Sequence, residues 1–199
     1  MRAAGVVNGR PVVVYDGESS MSAGRAWWLL RYYGHRDVAV LDGGLAAWVA
    51  AGYPVSTDSE LVQPGDFVAR RGAMAVLSAE DAAAVAARGV LLDARAPERF
   101  RGEREPIDPV AGHIPGAVNL PATATTDPSG RFLGRHLLRR LFEPTGVTSE
   151  VKVGAYCGSG VAAAHEVLAL ELAGYQAALY PGSWSEWITD PRRPIARGD

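Results

Sequence analysis

The chain repeats itself. Residues 11–55 and 151–188 carry the same features in the same order. Each stretch opens with a short apolar run ending in Tyr (Tyr15, Tyr156). Each continues with a polar or reactive residue and Gly (Asp16-Gly17, Cys157-Gly158). A helical stretch follows, then Gly34 or Gly174, a second apolar run (Val38–Leu41, Ala177–Tyr180) and a Gly-containing turn. Each closes on a segment with a Trp (Trp48, Trp187). So many ordered agreements mark an internal duplication, and any fold must place one supersecondary unit twice.

The unit itself reads as α/β. Val12–Tyr15 and Val153–Tyr156 are short apolar runs bounded by turn residues, the pattern of buried strands. Ser22–Tyr33 and Val161–Ala173 are apolar on nearly every side and predict helices packed on a sheet. Strand, helix, strand, helix in succession predicts a parallel sheet flanked by helices. Between the repeats, Ser78 is an N-cap for a helix over Ala79–Ala87. Val90–Leu92 predicts a strand ending at Asp93. Ala117–Leu120 predicts another, after the turn His113-Ile114-Pro115-Gly116. The second unit is thus complete, whereas the first has only ten residues ahead of Pro11 and corresponds to a C-terminal half. The expected organisation is a partial unit over 1–57, a linker over 58–73 that holds Pro64-Gly65, and a complete unit over 74–199. The chain reads as an N-terminally shortened form of a two-unit protein.

Charge and composition narrow the function. A formal charge of -2 and a pI near 6.1 give no pull toward nucleic acid or an anionic membrane surface. No apolar run approaches the roughly 18 residues of a membrane span, and Met1–Gly5 is followed by no signal-peptide core. One cysteine excludes an internal disulfide framework and a thiolate zinc cage, and fits a cytoplasmic protein. His35, His136 and His165 lack ligand spacing, so no metal is expected. No dinucleotide fingerprint or P-loop is present, and no cofactor is expected.

Cys157 sits between the predicted strand and helix, in Tyr156-Cys157-Gly158-Ser159-Gly160-Val161-Ala162. A Gly-rich strand-to-helix loop lets successive backbone N–H groups converge on one point. The helix N-terminus adds partial positive charge there. Both effects favour thiolate over thiol and would stabilise an anion carried on the sulfur. The competing structural reading is a small buried residue at a strand end. Cysteine phosphatases use a similar loop but need an arginine six residues after the cysteine. Ala163 stands there, so phosphate transfer is not expected.

With these residues in view, the chain resembles the tandem rhodanese sulfurtransferases. The resemblance is carried by the Cys157–Ala163 loop, Asp93-Ala94-Arg95, Arg99-Phe100-Arg101-Gly102, Gly112–Ala117 and Gly182–Trp187, with Tyr15-Asp16-Gly17 and Leu41–Gly44 in the first copy. It covers almost the whole chain. It implies a rhodanese-like α/β fold with one complete catalytic domain plus a partial inactive copy. It also implies transfer of a sulfane sulfur from thiosulfate or 3-mercaptopyruvate to cyanide or a thiol, through a Cys157 persulfide. Gly158, Ser159, Gly160, Val161 and Ala162 would form the cradle for the terminal sulfur. Arg99 matches the arginine that binds the anionic donor, a role suited to a planar fork of donors; otherwise it is a surface residue in a run with Arg95, Arg101 and Arg104. Asp16 stands in the cysteine's place in the first copy and cannot carry a persulfide, so that copy is expected to be structural. Its helix should pack on the catalytic domain and close one wall of the cleft.

Departures from the family pattern keep both donors open. The Cys-Gly-Ser-Gly loop is similar to the mercaptopyruvate branch, in which Ser159 matches a proposed relay serine. Ile107-Asp108 follows Glu105-Pro106, however, where that branch often has a second arginine. Trp184, after the last strand, is one candidate for the site's mouth, with a packing role as the alternative, and His113 is expected to fix a turn. The alternative to an enzyme is a catalytically inactive rhodanese-like binding or regulatory module. The incomplete first unit would expose a sheet edge and an apolar face, which invites a homodimer.

Overall fold

The computed structural model describes residues 1–17, 19–58 and 61–199 and contains two parallel sheets. Strands β1 (Val12–Val14) and β2 (Val38–Val40) form the smaller one, with Val12 opposite Val38 and Val14 opposite Val40. Helix α1 (Met21–Tyr32) joins them, and α2 (Gly44–Ala50) follows. The larger unit comprises α3 (Ala79–Arg88), β3 (Val90–Asp93), α4 (Pro97–Phe100), β4 (Val118–Asn119), α5 (Arg135–Phe142), β5 (Val153–Tyr156), α6 (Val161–Ala173), β6 (Ala177–Leu179) and α7 (Ser183–Trp187). Its strand order is β4-β3-β5-β6, all parallel. The order β5-α6-β6-α7 repeats β1-α1-β2-α2.

The two inner strands explain the continuous apolar runs. β3 and β5 are buried at every residue, as a parallel strand covered on both faces must be. Leu92, Ala155 and Cys157 belong to the core that contains α6. Leu91 and Tyr156 belong to the core on the other face, with Trp184 and Trp187. Helix α6 is apolar on nearly every side because it is covered from Ala163 to Leu170: the sheet lies on one side and α1 on another, with Trp27, Trp28 and Leu30 in the same core. Gly24 permits that approach, since a β-carbon there would stand 2.9 Å from the His165 Cα.

Several expected boundaries shift. β1 ends at Val14, and Tyr15 is exposed, because pairing with β2 stops at Val40. α1 starts and stops one residue earlier than expected. β4 shortens to two residues, opposite Leu92 and Asp93. α3 extends to Arg88, and its start is fixed by a capping box. The Asp81 N–H donates to Ser78 Oγ, and the Ser78 N–H to Asp81 Oδ2, both at 3.1 Å.

The expected linker is not a free tether. Its described part is irregular, yet Phe67 is buried. The Gly65 N–H donates to the Arg2 carbonyl at 2.9 Å, and the Arg70 N–H to the Tyr33 carbonyl at 2.9 Å. These bonds strap the segment across the N-terminus and the end of α1. Ser59 and Glu60 of the linker, and Glu18 of the first repeat, lie outside the described residues.

Candidate active site

The site forms where β5 hands over to α6. Cys157 is 4% exposed, and the Gly160 N–H donates to its Sγ at 3.1 Å. Gly160 precedes the helix with φ 78, and a β-carbon there would lie 2.6 Å from the Pro181 carbonyl oxygen. Only glycine serves at that position, because L side chains rarely adopt positive φ and the space is filled. The turn into α7 holds the loop from the other side. The Cys157 N–H donates to Ser183 Oγ at 3.1 Å, and Ser183 Oγ donates to the Tyr180 carbonyl at 2.9 Å. The Trp184 and Ser185 N–H groups donate to the Cys157 and Gly158 carbonyls at 2.9 Å.

The first copy shows the same loop filled by its own side chain. Asp16 Oδ1 accepts the Ser20 N–H at 2.9 Å. Asp16 Oδ2 accepts the Ser22 and Ala23 N–H groups at 2.9 and 3.1 Å. The turn at the start of α1 is thus a three-donor anion cradle occupied by a carboxylate.

A cavity of about 240 Å³ opens over Cys157. Gly158, Ser159, Val161 and Ala162 line it, together with Arg95, Arg99, Ile107, Ser185 and, from α1, Met21. The residues of the expected cradle and Arg99 therefore meet in one place, with Gly160 directly beneath as donor to the sulfur. Met21 supplies the expected wall from the first copy. A larger surface cleft of about 540 Å³ lies near Lys152 and Gln176, away from Cys157. No group of three His, Cys, Asp or Glu able to hold a metal occurs among the described residues.

Arg99 is not a solvated surface residue. Its side chain is 15% exposed. Its Nε donates to both Glu105 oxygens at 3.0 Å, and its Nη2 lies 2.7 Å from Glu105 Oε1 and 3.1 Å from Asp108 Oδ2. Arg95, from the same basic run, is buried. Its Nη2 donates to Asp93 Oδ2 at 2.6 Å and to the Gly112 carbonyl at 2.8 Å, and its Nη1 is 3.4 Å from Glu105 Oε2. Burial alone would lower the Arg95 pKa, but the Asp93 carboxylate outweighs it and raises it. Burial would likewise raise Glu105, yet hydrogen bonds from Arg99 and from the Asp108 and Ile107 N–H groups hold it below the usual carboxylate range.

The structure decides two readings about neighbours. Trp184 is wholly buried and does not line the mouth. Its Nε1 donates to the Val110 carbonyl at 2.8 Å, and the Arg95 guanidinium lies over its ring at 4.9 Å. His113 does fix a turn: its Nδ1 is 2.8 Å from the Phe100 carbonyl and its ring stacks on Phe100.

A profile of the rhodanese-like domain matches residues 2–51 and 78–190. The chain belongs to the rhodanese family. Rhodanese relatives align over its whole length. It is 46% identical over 204 residues to a putative thiosulfate sulfurtransferase, SseB, of Mycobacterium tuberculosis, covering 100% of this chain and 71% of that protein. It is 48% identical over 204 residues to a probable 3-mercaptopyruvate sulfurtransferase of Pseudomonas aeruginosa, covering 100% of this chain and 72% of that one. Its fold matches the crystal structure of SseA from Escherichia coli, described as a 3-mercaptopyruvate sulfotransferase. The TM-score is 0.81 at 34% identity, covering 93% of this chain and 71% of that one. This rhodanese is accordingly an enzyme of the sulfurtransferase class.

Proposed function

We propose that Cys157 is the sulfur carrier of this rhodanese and works through a persulfide. The thiolate attacks the sulfane sulfur of thiosulfate, the S–S bond breaks, and sulfite leaves with the bonding electrons. With 3-mercaptopyruvate the C–S bond breaks instead, and the thiol proton passes to the carbon to give pyruvate. Either step leaves Cys–S–S⁻, which yields its outer sulfur to cyanide or a thiol and regenerates the thiolate. Arg99 binds the anionic end of the donor. Gly158 to Ala162 hold the terminal sulfur.

The observation that carries this reading is the Asp16 cradle. Three N–H groups at the start of α1 hold an anion there. The corresponding turn at α6 has Cys157 Sγ already accepting one N–H, with a cavity above it. In the same reading residues 74–199 are the catalytic domain, 58–73 a connecting segment and 1–57 a structural partial copy. The enzyme works in the cytoplasm, where its single buried thiol stays reduced. The exposed Val13, Tyr15 and Val55 support self-association through the first unit.

Intact-mass spectrometry after brief exposure to each donor tests the mechanism. One added sulfur, about 32 Da, is expected; it disappears with cyanide and never forms in Cys157→Ser. A folded chain that gains no sulfur from either donor is instead the inactive binding module.

A further inference from the structure

Asp108 follows the lining residue Ile107 and bonds two others, Arg99 and Ser185, so it touches both halves of the site. Its Oδ2 is 3.1 Å from Arg99 Nη2, and its Oδ1 accepts a hydrogen bond from Ser185 Oγ at 2.8 Å. Ser185 Oγ is also 2.8 Å from the Gly158 carbonyl, next to the nucleophile. One carboxylate therefore ties the donor-binding arginine, through one serine, to the sulfur cradle. The Arg99 Nη atoms are thereby held over the loop: both would lie 3.6 Å from a β-carbon at Gly158, and the Asp108 carboxylate would lie at 3.9 Å.

The same arrangement sets the charge that a donor meets. Two guanidinium groups, Arg95 and Arg99, face three carboxylates, Asp93, Glu105 and Asp108. The cluster carries one negative charge in excess, and the side chains of Asp108 and Glu105 are only 7% and 3% exposed. Water screens such a charge poorly. Of the three carboxylates Asp108 lies closest to the cradle, and it shares the Arg99 Nη2 with Glu105. Thiosulfate brings two negative charges to this place, and the 3-mercaptopyruvate carboxylate brings one.

We propose that Asp108 is the residue that sets donor preference, holding the Arg99 fork over the cradle while its own charge selects the singly charged donor over the doubly charged one. This rests on the sulfur-transfer reading above and names the donor that reading left open. The carboxylate acts partly through Arg99 and is to that extent a positioning residue. Asp108→Asn separates the two effects. The amide oxygen can still accept from Arg99, and its NH2 can donate to Ser185 Oγ, freeing the hydroxyl proton for the Gly158 carbonyl. The tether survives and the charge goes.

The experiment is steady-state transfer to cyanide from thiosulfate and from 3-mercaptopyruvate, with the wild-type chain, Asp108→Asn and Asp108→Glu, at low salt and neutral pH. In Asp108→Asn the thiosulfate-to-mercaptopyruvate ratio of kcat/KM should rise about fivefold, through KM and not kcat, the scale of one unit charge at this range and polarity. Asp108→Glu should restore the wild-type ratio. A ratio that Asp108→Asn does not move overturns the proposal while leaving sulfur transfer intact. A wild-type chain that turns over neither donor overturns both.

Discussion

The Gly24 backbone lies against the His165 backbone, so close that a β-carbon on Gly24 would stand 2.9 Å from the His165 Cα. This contact is where the two repeats meet. His165 then reaches out on both sides of the crossing. Its Nδ1 is 3.2 Å from the Ser20 carbonyl at the start of α1, and its Nε2 is 2.9 Å from Thr125 Oγ1. Ser20 also donates its N–H to Asp16. The Asp16-filled cradle of the first copy and the helix that carries Cys157 are thus joined through one buried imidazole.

Gly24→Ala should therefore destabilise the protein. Alanine favours a helix interior over glycine by roughly 1 kcal/mol. Overpacking against backbone that cannot rotate away costs about 1–3 kcal/mol. The net expectation is a lower Tm, read by thermal unfolding beside the wild-type chain. An unchanged or raised Tm would mean that α1 and α6 slide apart freely.

Asp16→Ala tests whether the first cradle is structural. The substitution strands three N–H donors at the start of α1, and loss of a side-chain cap costs about 1–2 kcal/mol. Tm should fall, while sulfur uptake per folded molecule at Cys157 stays as in the wild-type chain. Loss of uptake without loss of Tm would refute a purely structural role.

Much of this was legible because local pattern and local structure coincide. β5 and α6 occupy the residues expected, Val153–Tyr156 and Val161–Ala173, since an apolar run bounded by Gly turns admits little else. Cys157 and its loop followed from that placement. Arg99 was recognisable only by family resemblance, because nothing local separates it from Arg101, which pairs in the open with Glu103. Asp108 and Ser185 meet across 77 residues, and no spacing signals such a contact. Trp184 is undecided from sequence, because a position after the last strand fits either a mouth or a floor. The Val110 carbonyl and the Arg95 guanidinium decide for the floor.

His165 should make stability acid-sensitive. Burial lowers its pKa, against a raising effect of the Ser20 carbonyl and Asp16. The unfolded chain then binds the proton more readily than the folded one, starting from an unperturbed value of about 6.5. The contribution of the neutral ring is full above that pH and is lost as pH falls toward the lower folded value. Tm measured from pH 8 down to pH 5 should drop more steeply for the wild-type chain than for His165→Gln. Parallel curves would remove His165 as the cause.

Glu166 acts in the opposite direction. It follows His165 on α6 but is wholly buried, and neither carboxylate oxygen has a hydrogen-bond partner among the described residues. Burial, with the nearby Asp93 and Cys157 charges, pushes its pKa well above the usual range. A second negative charge beside the nucleophile is thereby avoided, at a cost in stability. The folded state holds the proton that the unfolded chain releases above about pH 4.3, so the folded protein is penalised increasingly as pH rises toward the folded value. Glu166→Met removes the unpartnered group and should raise stability by about 1–3 kcal/mol near pH 8. Glu166→Gln should flatten the pH dependence while keeping the polar burden. Urea unfolding of the three chains at pH 5 and pH 8 separates these effects. If the advantage of Glu166→Met over the wild-type chain does not grow between the two pH values, Glu166 is not the buried acid that the fold makes it.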